Sequence, residues 1–232
     1  KLSTLEQNRI LSDLGQNNSF TNKLSDIGLF PLKPTALEIL QINLGYLCNL
    51  ECNHCHVDAS PRRKEITSRD ILKKCLEVID NVKSIHTVDL TGGAPEMNPD
   101  FLWLLAELQQ RNVEVIVRSN LTILVEGKFK SYPKELAKYG VTIVSSLPCY
   151  TEENVDAQRG DGVFTKSIKA LQILNELGYG TTPELKLHLV FNPGGASIAP
   201  NQEKLKQDYK RILKKDFNIE FHDLFAIQFL RD

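Results

Sequence analysis

Short apolar runs alternate with longer amphipathic segments over most of the chain. Six short runs rich in Val, Ile and Leu predict β-strands. They lie at residues 37–44, 85–90, 113–117, 141–146, 185–191 and 219–227. Between them, apolar residues recur at helical spacing and predict helices at residues 67–82, 98–110, 134–139 and 163–177, and around 205–212. Strands that alternate with helices in this way predict βα units on a parallel sheet.

The predicted sheet of six βα units allows two architectures. It could close incompletely into a partial (βα)6 barrel, or it could lie open as a doubly wound sheet. In both folds, ligands bind at the carboxyl ends of the strands. Residues 1–35 are polar with scattered apolar positions and predict an N-terminal arm of one or two short helices. The expected organisation is an arm at 1–35 and one α/β domain at 36–232.

The composition of the chain is that of an ordinary globular protein. Of its 232 residues, 41% are hydrophobic and 25% are charged, and the net charge is −1. A chain of this length can bury one sizeable core. The near-neutral charge gives no reason to expect nucleic acid or a membrane surface as a partner. No apolar run approaches the roughly 20 residues of a membrane-spanning helix.

Three of the five cysteines lie on one short loop after the first predicted strand. Cys48, Cys52 and Cys55 can converge on one inorganic centre, because thiolates favour zinc or an iron–sulfur cluster. A structural zinc ion would need a fourth ligand, which His54 or His56 could provide. A [4Fe–4S] cluster on three thiolates would keep one iron open for chemistry. The spacing alone leaves both centres open, and the clustering predicts a reducing, cytoplasmic compartment rather than disulfides.

Two unusual segments follow the second and third predicted strands, where a ligand site is expected. The segment 91–96, TGGAPE, contains adjacent Gly92 and Gly93, which would let the backbone approach a ligand closely. A tight turn into the next helix is the alternative interpretation. Ser119 and Asn120 come directly after the third strand and add polar groups to the same end of the sheet.

The fourth predicted strand is followed by two groups suited to a carboxylate. Ser146 lies at the end of the strand, and Arg159 follows ten residues after Cys149. A hydroxyl and a guanidinium fork bind a carboxylate well; an isolated surface arginine is the alternative. The fifth strand ends in Asn192-Pro193-Gly194-Gly195, a second loop that allows close approach of a ligand.

The two remaining cysteines have different contexts. Cys75 lies on the apolar stripe of a predicted helix and is expected to be a small core residue. Cys149 follows the fourth strand between Pro148 and Tyr150, so it should point toward the same end of the sheet as the cysteine loop. A buried small hydrophobe is the alternative for Cys149. As a thiolate, it could bind a soft element of a substrate.

The spacing Cys48-x3-Cys52-x2-Cys55 resembles the signature of the radical S-adenosylmethionine (SAM) superfamily. In that superfamily, three cysteines hold a [4Fe–4S] cluster, and the amino and carboxylate groups of SAM chelate the open iron. Electron transfer then breaks a sulfur–carbon bond and releases a 5′-deoxyadenosyl radical. His54 stands where a larger aromatic residue is usual, and an imidazole can also stack on adenine. The resemblance favours the partial (βα)6 barrel.

The resemblance also implies roles for residues at the strand ends. TGGAPE resembles the GGEP motif, whose backbone holds the SAM amino group, with Ala94 in place of the usual glutamate and Glu96 two residues later. The implied cofactor-binding residues are Gly92, Gly93, Ala94 and Glu96 for the amino group, Ser119 and Asn120 for the ribose, Ser146 and Arg159 for the carboxylate, and Asn192 for the adenine.

Four longer segments resemble the arsenosugar-biosynthesis radical SAM family. They are LQINLGYLCNLECNHCHVDASPRRKE, TVDLTGGAPEMNP, SSLPCYTEENVDAQRGDGVF and LVFNPGGA. The resemblance implies transfer of the 5′-deoxyadenosyl group to a trivalent methylated arsenical such as dimethylarsenite, with Cys149 as a thiolate ligand of arsenic. It also implies a reductant such as flavodoxin or ferredoxin.

Members of that family usually carry a further C-terminal region with additional cysteines or selenocysteine, which we expect to lie outside this chain. Two other interpretations remain open from the sequence. One is a radical SAM enzyme that acts on a peptide or a small organic molecule. The other is a binding module stabilised by zinc.

Overall fold

A computed structural model of the chain describes residues 3–15, 20–33, 35–53, 55–192 and 201–226. The chain forms two compact units, residues 1–37 and 38–232. The first unit contains the helices α1 (Thr4–Gly15) and α2 (Phe20–Asp26), which agree with the short helices predicted there.

The second unit is built on one parallel sheet of six strands. The strands follow the chain order from β1 at one edge to β6 at the other, and every neighbouring pair is parallel. This arrangement confirms the predicted α/β class and is consistent with a partial TIM-like barrel. The strands are β1 (Ile39–Asn43), β2 (Thr87–Thr91), β3 (Glu114–Ser119), β4 (Thr142–Ser146), β5 (Leu187–Phe191) and β6 (Asp223–Ala226).

Helices connect successive strands, and five of them match the predicted helices to within a few residues. The helices of this unit are α3 (Arg69–Asn81), α4 (Phe101–Gln109), α5 (Tyr132–Lys138), α6 (Glu152–Arg159), α7 (Val163–Glu176) and α8 (Gln202–Phe217). Short 3-10 turns occur at Pro95–Met97, Thr122–Val125 and Gly127–Ser131. None of the helices in the described ranges is long and apolar enough to cross a bilayer.

The start of α4 differs from the predicted start at residue 98. The 3-10 turn at Pro95–Met97 comes first, and α4 begins only at Phe101. The Oδ1 of the buried Asn98 accepts from the backbone N–H of Asp100 at 2.8 Å, and its Nδ2 donates to the carbonyl oxygens of Leu44 and Thr67, both at 3.0 Å. Asn98 therefore ties the end of β1 to the segment before α3, a tertiary role that a local capping pattern does not reveal.

The sequence pattern does not predict helix α6. Only Val155 and Arg159 of this helix are buried, so no apolar stripe marks it. Boundary signals are nevertheless present, because Thr151 is its N-cap residue, two glutamates occupy its first turn and Gly160 follows its last residue. These signals could have identified the helix.

Alternation along the strands separates a helix-facing layer from the inside of the barrel. Cys75 packs against the core that the helices cover, as the sequence predicted, and so does Trp103. The helix-facing strand residues are apolar and fully buried, and include Val88, Leu90, Val117, Ile143, Leu187 and Leu189. The opposite face carries polar side chains, among them Gln41, Asp89, Arg118 and His188. Because buried polar groups need partners, the inside of the barrel is the place to look for ligand chemistry.

Candidate active site

A cavity of about 480 Å³ opens at the carboxyl ends of β1 to β5. Its volume lies in the range of small-molecule sites. The sequence-predicted residues that line it are Cys48, Cys52, Cys55, Gly92, Gly93, Ser119, Asn120, Ser146, Arg159 and Asn192. Ala94, Glu96 and Cys149 are not among the described residues that line it. The chain therefore brings ten of the thirteen predicted residues into one cavity.

The cysteine loop presents sulfur atoms to this cavity. Backbone N–H groups of Leu50 and Ala59 donate hydrogen bonds to the Sγ atoms of Cys48 and Cys55, at 3.4 Å and 3.3 Å. Burial raises the pKa of the Cys48 thiol above its usual value, and it also raises the pKa of Cys52. A bound metal reverses this effect, because a coordinating thiol loses its proton.

The alternative zinc ligands can be placed only in part. His56 lines the cavity and is exposed. His54 lies outside the described residues, as do Pro193, Gly194 and Gly195. Within the part of the chain that the structure describes, no group of three or more His, Cys, Asp or Glu side chains is arranged to hold a single metal ion.

The cysteine loop is docked on the end of helix α6. The backbone N–H of Asn53 donates to the carbonyl oxygen of Gln158 at 3.1 Å. The Asn53 side chain donates to the carbonyl oxygen of Ala157 at 3.2 Å. These carbonyl groups lie in the last turn of the helix, where they lack helical partners. Helix α6 therefore holds the segment between Cys52 and Cys55.

The glycine pair packs against the backbone of the cysteine loop. The N–H of Gly93 donates to the carbonyl oxygen of Gly45, and the N–H of Ala94 donates to that of Leu47, both at 2.9 Å. A Cβ atom on Gly93 would lie far inside van der Waals contact with the Leu47 carbonyl oxygen. Because Gly93 has no side chain, the end of β2 can lie in close contact with the backbone that leads into the cysteine loop. Any hydrogen bond from a ligand amino group would go to carbonyl oxygens of this segment, because amino groups donate.

We expect Gly93→Ala to destabilise the chain by about 2–3 kcal/mol, since the new methyl must displace backbone rather than a flexible side chain. Gly140→Ala is the control: its Cβ would meet no atom within 4 Å, and the cost of its φ of +61° is about 1 kcal/mol. Urea unfolding of the metal-free proteins measures both values. Equal losses in the two variants would contradict the close-packing interpretation.

Arg159 is buried, with 3% of its surface exposed, so the alternative of an isolated surface arginine is wrong. Its Nη1 donates to the carbonyl oxygen of Ser146 at 2.6 Å, and its Nη2 donates to that of Asn120 at 2.9 Å. Its Nε has no partner among the described residues, none of whose carboxylates forms an ion pair with it. The guanidinium lies beside the Cys52 thiol and lowers its pKa against the effect of burial, and a buried cation without a carboxylate partner is suited to an anionic ligand.

The Asn120 side chain uses its hydrogen-bonding capacity within the protein. Its Nδ2 donates to Asn49 Oδ1 at 2.6 Å and to Cys48 Sγ at 3.5 Å. Its Oδ1 accepts from Thr122 Oγ1 and from the backbone N–H of Ile123, both at 3.1 Å. A carboxamide has two N–H groups and two lone pairs. The Asn120 carboxamide therefore has no group left for a ribose hydroxyl, and it positions Cys48.

Glu96 lies beneath the cavity wall rather than in it. The carboxyl group is 1% exposed; Ser119 Oγ donates to its Oε1 at 2.6 Å, and its Oε2 has no partner among the described residues. Burial raises the pKa of Glu96 from its ordinary value of 4.5 to about 7. Through Ser119, which also accepts from the backbone N–H of Leu121 at 3.3 Å, Glu96 supports the loop that follows β3.

Glu96 should make the folded state less stable as the pH rises from about 4.5 to about 7. In that window the folded chain binds a proton that the unfolded chain has released, so the free energy of unfolding falls with increasing pH. The total loss is about 3 kcal/mol. Between pH 5 and pH 8, the free energy of unfolding of Glu96→Gln, measured in urea, should rise relative to that of the unmodified chain by roughly this amount. An identical pH dependence for both proteins would contradict the assignment.

Cys149 lies directly after Pro148, which lines the cavity. Its thiol is half-buried, and its Sγ lies 3.3 Å from Thr151 Oγ1 and 3.6 Å from Asn154 Nδ2. Asn154 also donates to Thr151 Oγ1 at 2.9 Å. The thiol is therefore held by two polar groups at the start of helix α6. Cys149 also packs against the core, as Cys75 does, whereas its chain neighbour Pro148 lines the cavity.

Comparisons with known proteins show the family to which the chain belongs. A family model described as the radical SAM superfamily matches residues 42–194. The chain is 31% identical over 140 residues to the mycofactocin maturase MftC of Mycobacterium tuberculosis, which covers 59% of this chain and 34% of that protein. It is 27% identical over 157 residues to a probable GTP 3′,8-cyclase of Saccharolobus islandicus, which covers 67% of this chain and 48% of that protein.

Solved structures share the fold. Streptococcus suis SuiB bound to S-adenosylmethionine has a TM-score of 0.62 at 16% identity, covering 97% of this chain and 53% of that chain. SuiB bound to its precursor peptide SuiA has a TM-score of 0.61 at 17% identity, and the match covers 90% of this chain and 42% of that chain. These structures support the partial barrel. The chain spans half or less of the length of the curated relatives described above.

Proposed function

Since this chain belongs to the radical SAM superfamily, we propose that it transfers the 5′-deoxyadenosyl group of SAM to a trivalent methylated arsenical. Enzymes of this superfamily use a [4Fe–4S] cluster and SAM. The observation that carries the proposal is the gathering of three thiols, a glycine pair and a buried arginine in one cavity.

The donor set fits the cluster. Cys48, Cys52 and Cys55 supply three thiolates, which leaves one iron for SAM. The N–H groups of Leu50 and Ala59 and the Asn120 carboxamide donate to sulfur atoms of this set and stabilise its negative charge. When bound, the reduced cluster supplies the electron that breaks the sulfur–carbon bond of SAM and frees the 5′-deoxyadenosyl radical.

The surrounding residues fit the nucleoside cofactor. Ser146 and the buried Arg159 bind the SAM carboxylate, since Arg159 otherwise has no counter-ion among the described residues. Carbonyl oxygens of the segment Gly92–Ala94 accept from the amino group. The adenine lies near Asn192 and the ribose near Ser119 and Asn120, where the backbone rather than the saturated Asn120 carboxamide offers contacts. Glu96 acts through Ser119 and does not touch the cofactor.

Cys149 binds the arsenical in this proposal. Arsenic(III) is soft and thiophilic, and a thiolate is its preferred protein ligand. Cys149 follows Pro148, which lines the cavity, and its sulfur contacts Thr151 and Asn154. The four sequence segments that resemble the arsenosugar-biosynthesis family support arsenic as the acceptor.

The proposed reaction balances without a net oxidant or reductant. The sulfur–carbon bond of SAM breaks, and a carbon–arsenic bond forms. The sulfonium gains two electrons and becomes a thioether, while arsenic is oxidised from oxidation state III to V. SAM and dimethylarsenite thus give methionine, 5′-deoxyadenosyl dimethylarsine oxide and a proton. An electron from flavodoxin or ferredoxin starts the reaction and is returned when arsenic reaches oxidation state V.

A second candidate function is modification of a peptide. It is favoured by the similarity to MftC and by the shared fold with SuiB, which has been solved with its precursor peptide. In that case the cluster and SAM residues keep their roles, and Cys149 does not bind arsenic. The two functions differ in whether an arsenical changes the fate of SAM.

Anaerobic reconstitution followed by mass spectrometry tests the proposal. The chain is loaded with iron and sulfide, reduced, and incubated with SAM in the presence or absence of dimethylarsenite. The expected product carries 5′-deoxyadenosyl bonded to arsenic. Cys149→Ser should lose at least tenfold of this product while still forming 5′-deoxyadenosine, and Cys75→Ser is the matched control, because Cys75 lies on α3 against the core.

Each other outcome points to a specific revision. Formation of 5′-deoxyadenosine that is indifferent to the arsenical keeps the superfamily chemistry and favours a peptide or another organic substrate. A colourless protein with one zinc per chain and no cleavage of SAM would favour the binding module stabilised by zinc.

A further inference from the structure

An arginine in the cavity is held from beneath by a buried carboxylate. Arg118 on β3 donates from Nε to both carboxylate oxygens of Asp89, at 2.9 Å and 3.0 Å, and from Nη2 to Oδ2 at 2.8 Å. Gln41 on β1 donates from Nε2 to the same Oδ2 at 2.9 Å. Asp89 is 5% exposed, whereas Arg118 and Gln41 both line the cavity. The buried carboxylate thus orients two cavity-lining side chains.

The atoms involved determine which part of the guanidinium remains available. Asp89 occupies the side edge formed by Nε and Nη2. Nη1 donates to no residue in the described ranges, and one N–H of Nη2 is also left over. These N–H groups form the end edge of the guanidinium, which matches the two oxygens of a carboxylate. The Arg118 side chain is 39% exposed, so a ligand in the cavity can reach this edge.

Strand alternation places this arrangement one layer below the residues proposed to bind SAM. Residues two apart on a strand face the same side. Ser146 lies at the end of β4, and Val144 lies two positions earlier, nearer the floor of the cavity. Arg118 pairs with Val144 in register and so belongs to the floor. The roles proposed for the cysteine loop and the glycine pair do not explain the polar residues of this floor.

We propose that Arg118, oriented by Asp89 and Gln41, binds a carboxylate group of the substrate at the floor of the cavity. This inference rests on the proposed function, because the proposed function places the cluster and SAM at the rim of the cavity and leaves the floor for the substrate. If the substrate is arsenical, it is then a monomethylated arsenic(III) conjugate of a thiol that bears a carboxylate, because dimethylarsenite has no carboxylate and only one position to exchange, which Cys149 would take. If the substrate is a peptide, an acidic side chain or a terminal carboxylate fills the same place.

Recognition at this position depends on the shape of the guanidinium more than on net charge. Asp89 already balances the positive charge of Arg118, so a compact ammonium would gain little from a second carboxylate. The planar fork still offers two parallel N–H donors on its free edge. An ordinary interior ion pair would instead bind no anion, and Lys would replace Arg118 without a change in ligand affinity.

Acetate is the simplest probe of this site because it carries only the proposed group. We would titrate acetate into the reconstituted protein at constant ionic strength, balanced with chloride, with and without SAM, and follow binding by calorimetry. The expected result is saturable binding of one acetate with SAM bound, because SAM then occupies Arg159, which offers acetate a second site in the sample without SAM. Arg118→Lys should weaken it at least tenfold. The double variant Asp89→Asn/Arg118→Gln should abolish it, and it avoids leaving a buried carboxylate unpaired, as Arg118→Gln alone would do.

Three outcomes would overturn the inference. The first is no saturable acetate binding by the unmodified protein. The second is equal acetate binding by Arg118→Lys, which would show that the positive charge alone, and not the shape of the guanidinium, binds acetate. The third is competition between acetate and SAM together with weaker SAM binding in the Arg118 variants, which would assign the fork to the SAM carboxylate. Formation of 5′-deoxyadenosine in the same samples reports separately on the proposed function, because acetate binding requires no turnover.

Discussion

Cys52→Ser is expected to abolish both cluster binding and cleavage of SAM. The substitution keeps the volume of the side chain but replaces a soft thiolate with a hard hydroxyl that iron–sulfur clusters bind poorly. Altering a group that merely supports a metal ligand typically costs 10- to 100-fold in affinity, so loss of a ligand itself should exceed roughly 100-fold. Iron and sulfide content, visible absorbance and formation of 5′-deoxyadenosine after reduction measure the effect.

The metal-free Cys52→Ser protein should keep its fold. Cys52 is only half-buried, and the docking of its loop depends on Asn53, which bonds to the end of α6. Urea unfolding of the metal-free variant should therefore match that of the unmodified chain. Cys75→Ser is the matched control and should bind the cluster normally. A Cys52→Ser protein that still cleaved SAM would refute the assignment of the three-cysteine loop.

Arg159→Gln should weaken SAM binding by about 2–5 kcal/mol, which corresponds to a loss of roughly 30-fold or more. The guanidinium is buried and lacks a described counter-ion, so the SAM carboxylate would have no comparable partner in the variant. The substitution also removes the hydrogen bonds to the carbonyl oxygens of Ser146 and Asn120. Calorimetric titration of SAM into the reconstituted protein measures the affinity.

Arg159→Lys separates charge from geometry. Lysine keeps the positive charge but cannot reach both strand ends with a planar fork, so its affinity for SAM should lie between those of the unmodified protein and Arg159→Gln. Arg62→Gln is a control at an exposed position, where the arginine pairs with Glu51 on the surface, and it should bind SAM normally. Unchanged SAM affinity in Arg159→Gln would remove this residue from the SAM site.

The α/β fold could be predicted because its strands and most helices carry strong local patterns. The buried strands are continuous apolar runs, and the covering helices have clear apolar stripes. Helix α6 was missed because it is short and polar, and its burial depends on Val155 and on a charged residue, Arg159. The bonds of Asn98 to Leu44 and Thr67 could not be predicted, because local spacing does not show them.

The residues of the site could be predicted better than their roles. Strand ends meet at one edge of a parallel sheet, so the sequence could collect Gly92, Ser146 and Arg159 in one place. It could not show that the Asn120 carboxamide is saturated, or that Glu96 lies behind Ser119 rather than in the cavity. Whereas the bonds to the Asn120 Oδ1 are local, the bonds Asn120–Asn49 and Ser119–Glu96 join segments far apart in the chain. The Asp89–Arg118 pair was missed for the same reason.

Helix α6 has two ends with separate tasks. Its C-terminal turn holds the cysteine loop through backbone carbonyls and contributes Arg159, whereas its N-terminal turn contributes Asn154, which contacts Cys149. Asn154 and Arg159 are five residues apart, which is about 7.5 Å along the helix axis, at the distance where substitutions begin to act independently. A lineage could therefore exchange the residues around Cys149 and acquire a different acceptor while the machinery that generates the radical stays intact. In this chain, the length of helix α6 determines how independently the residues at its two ends can change.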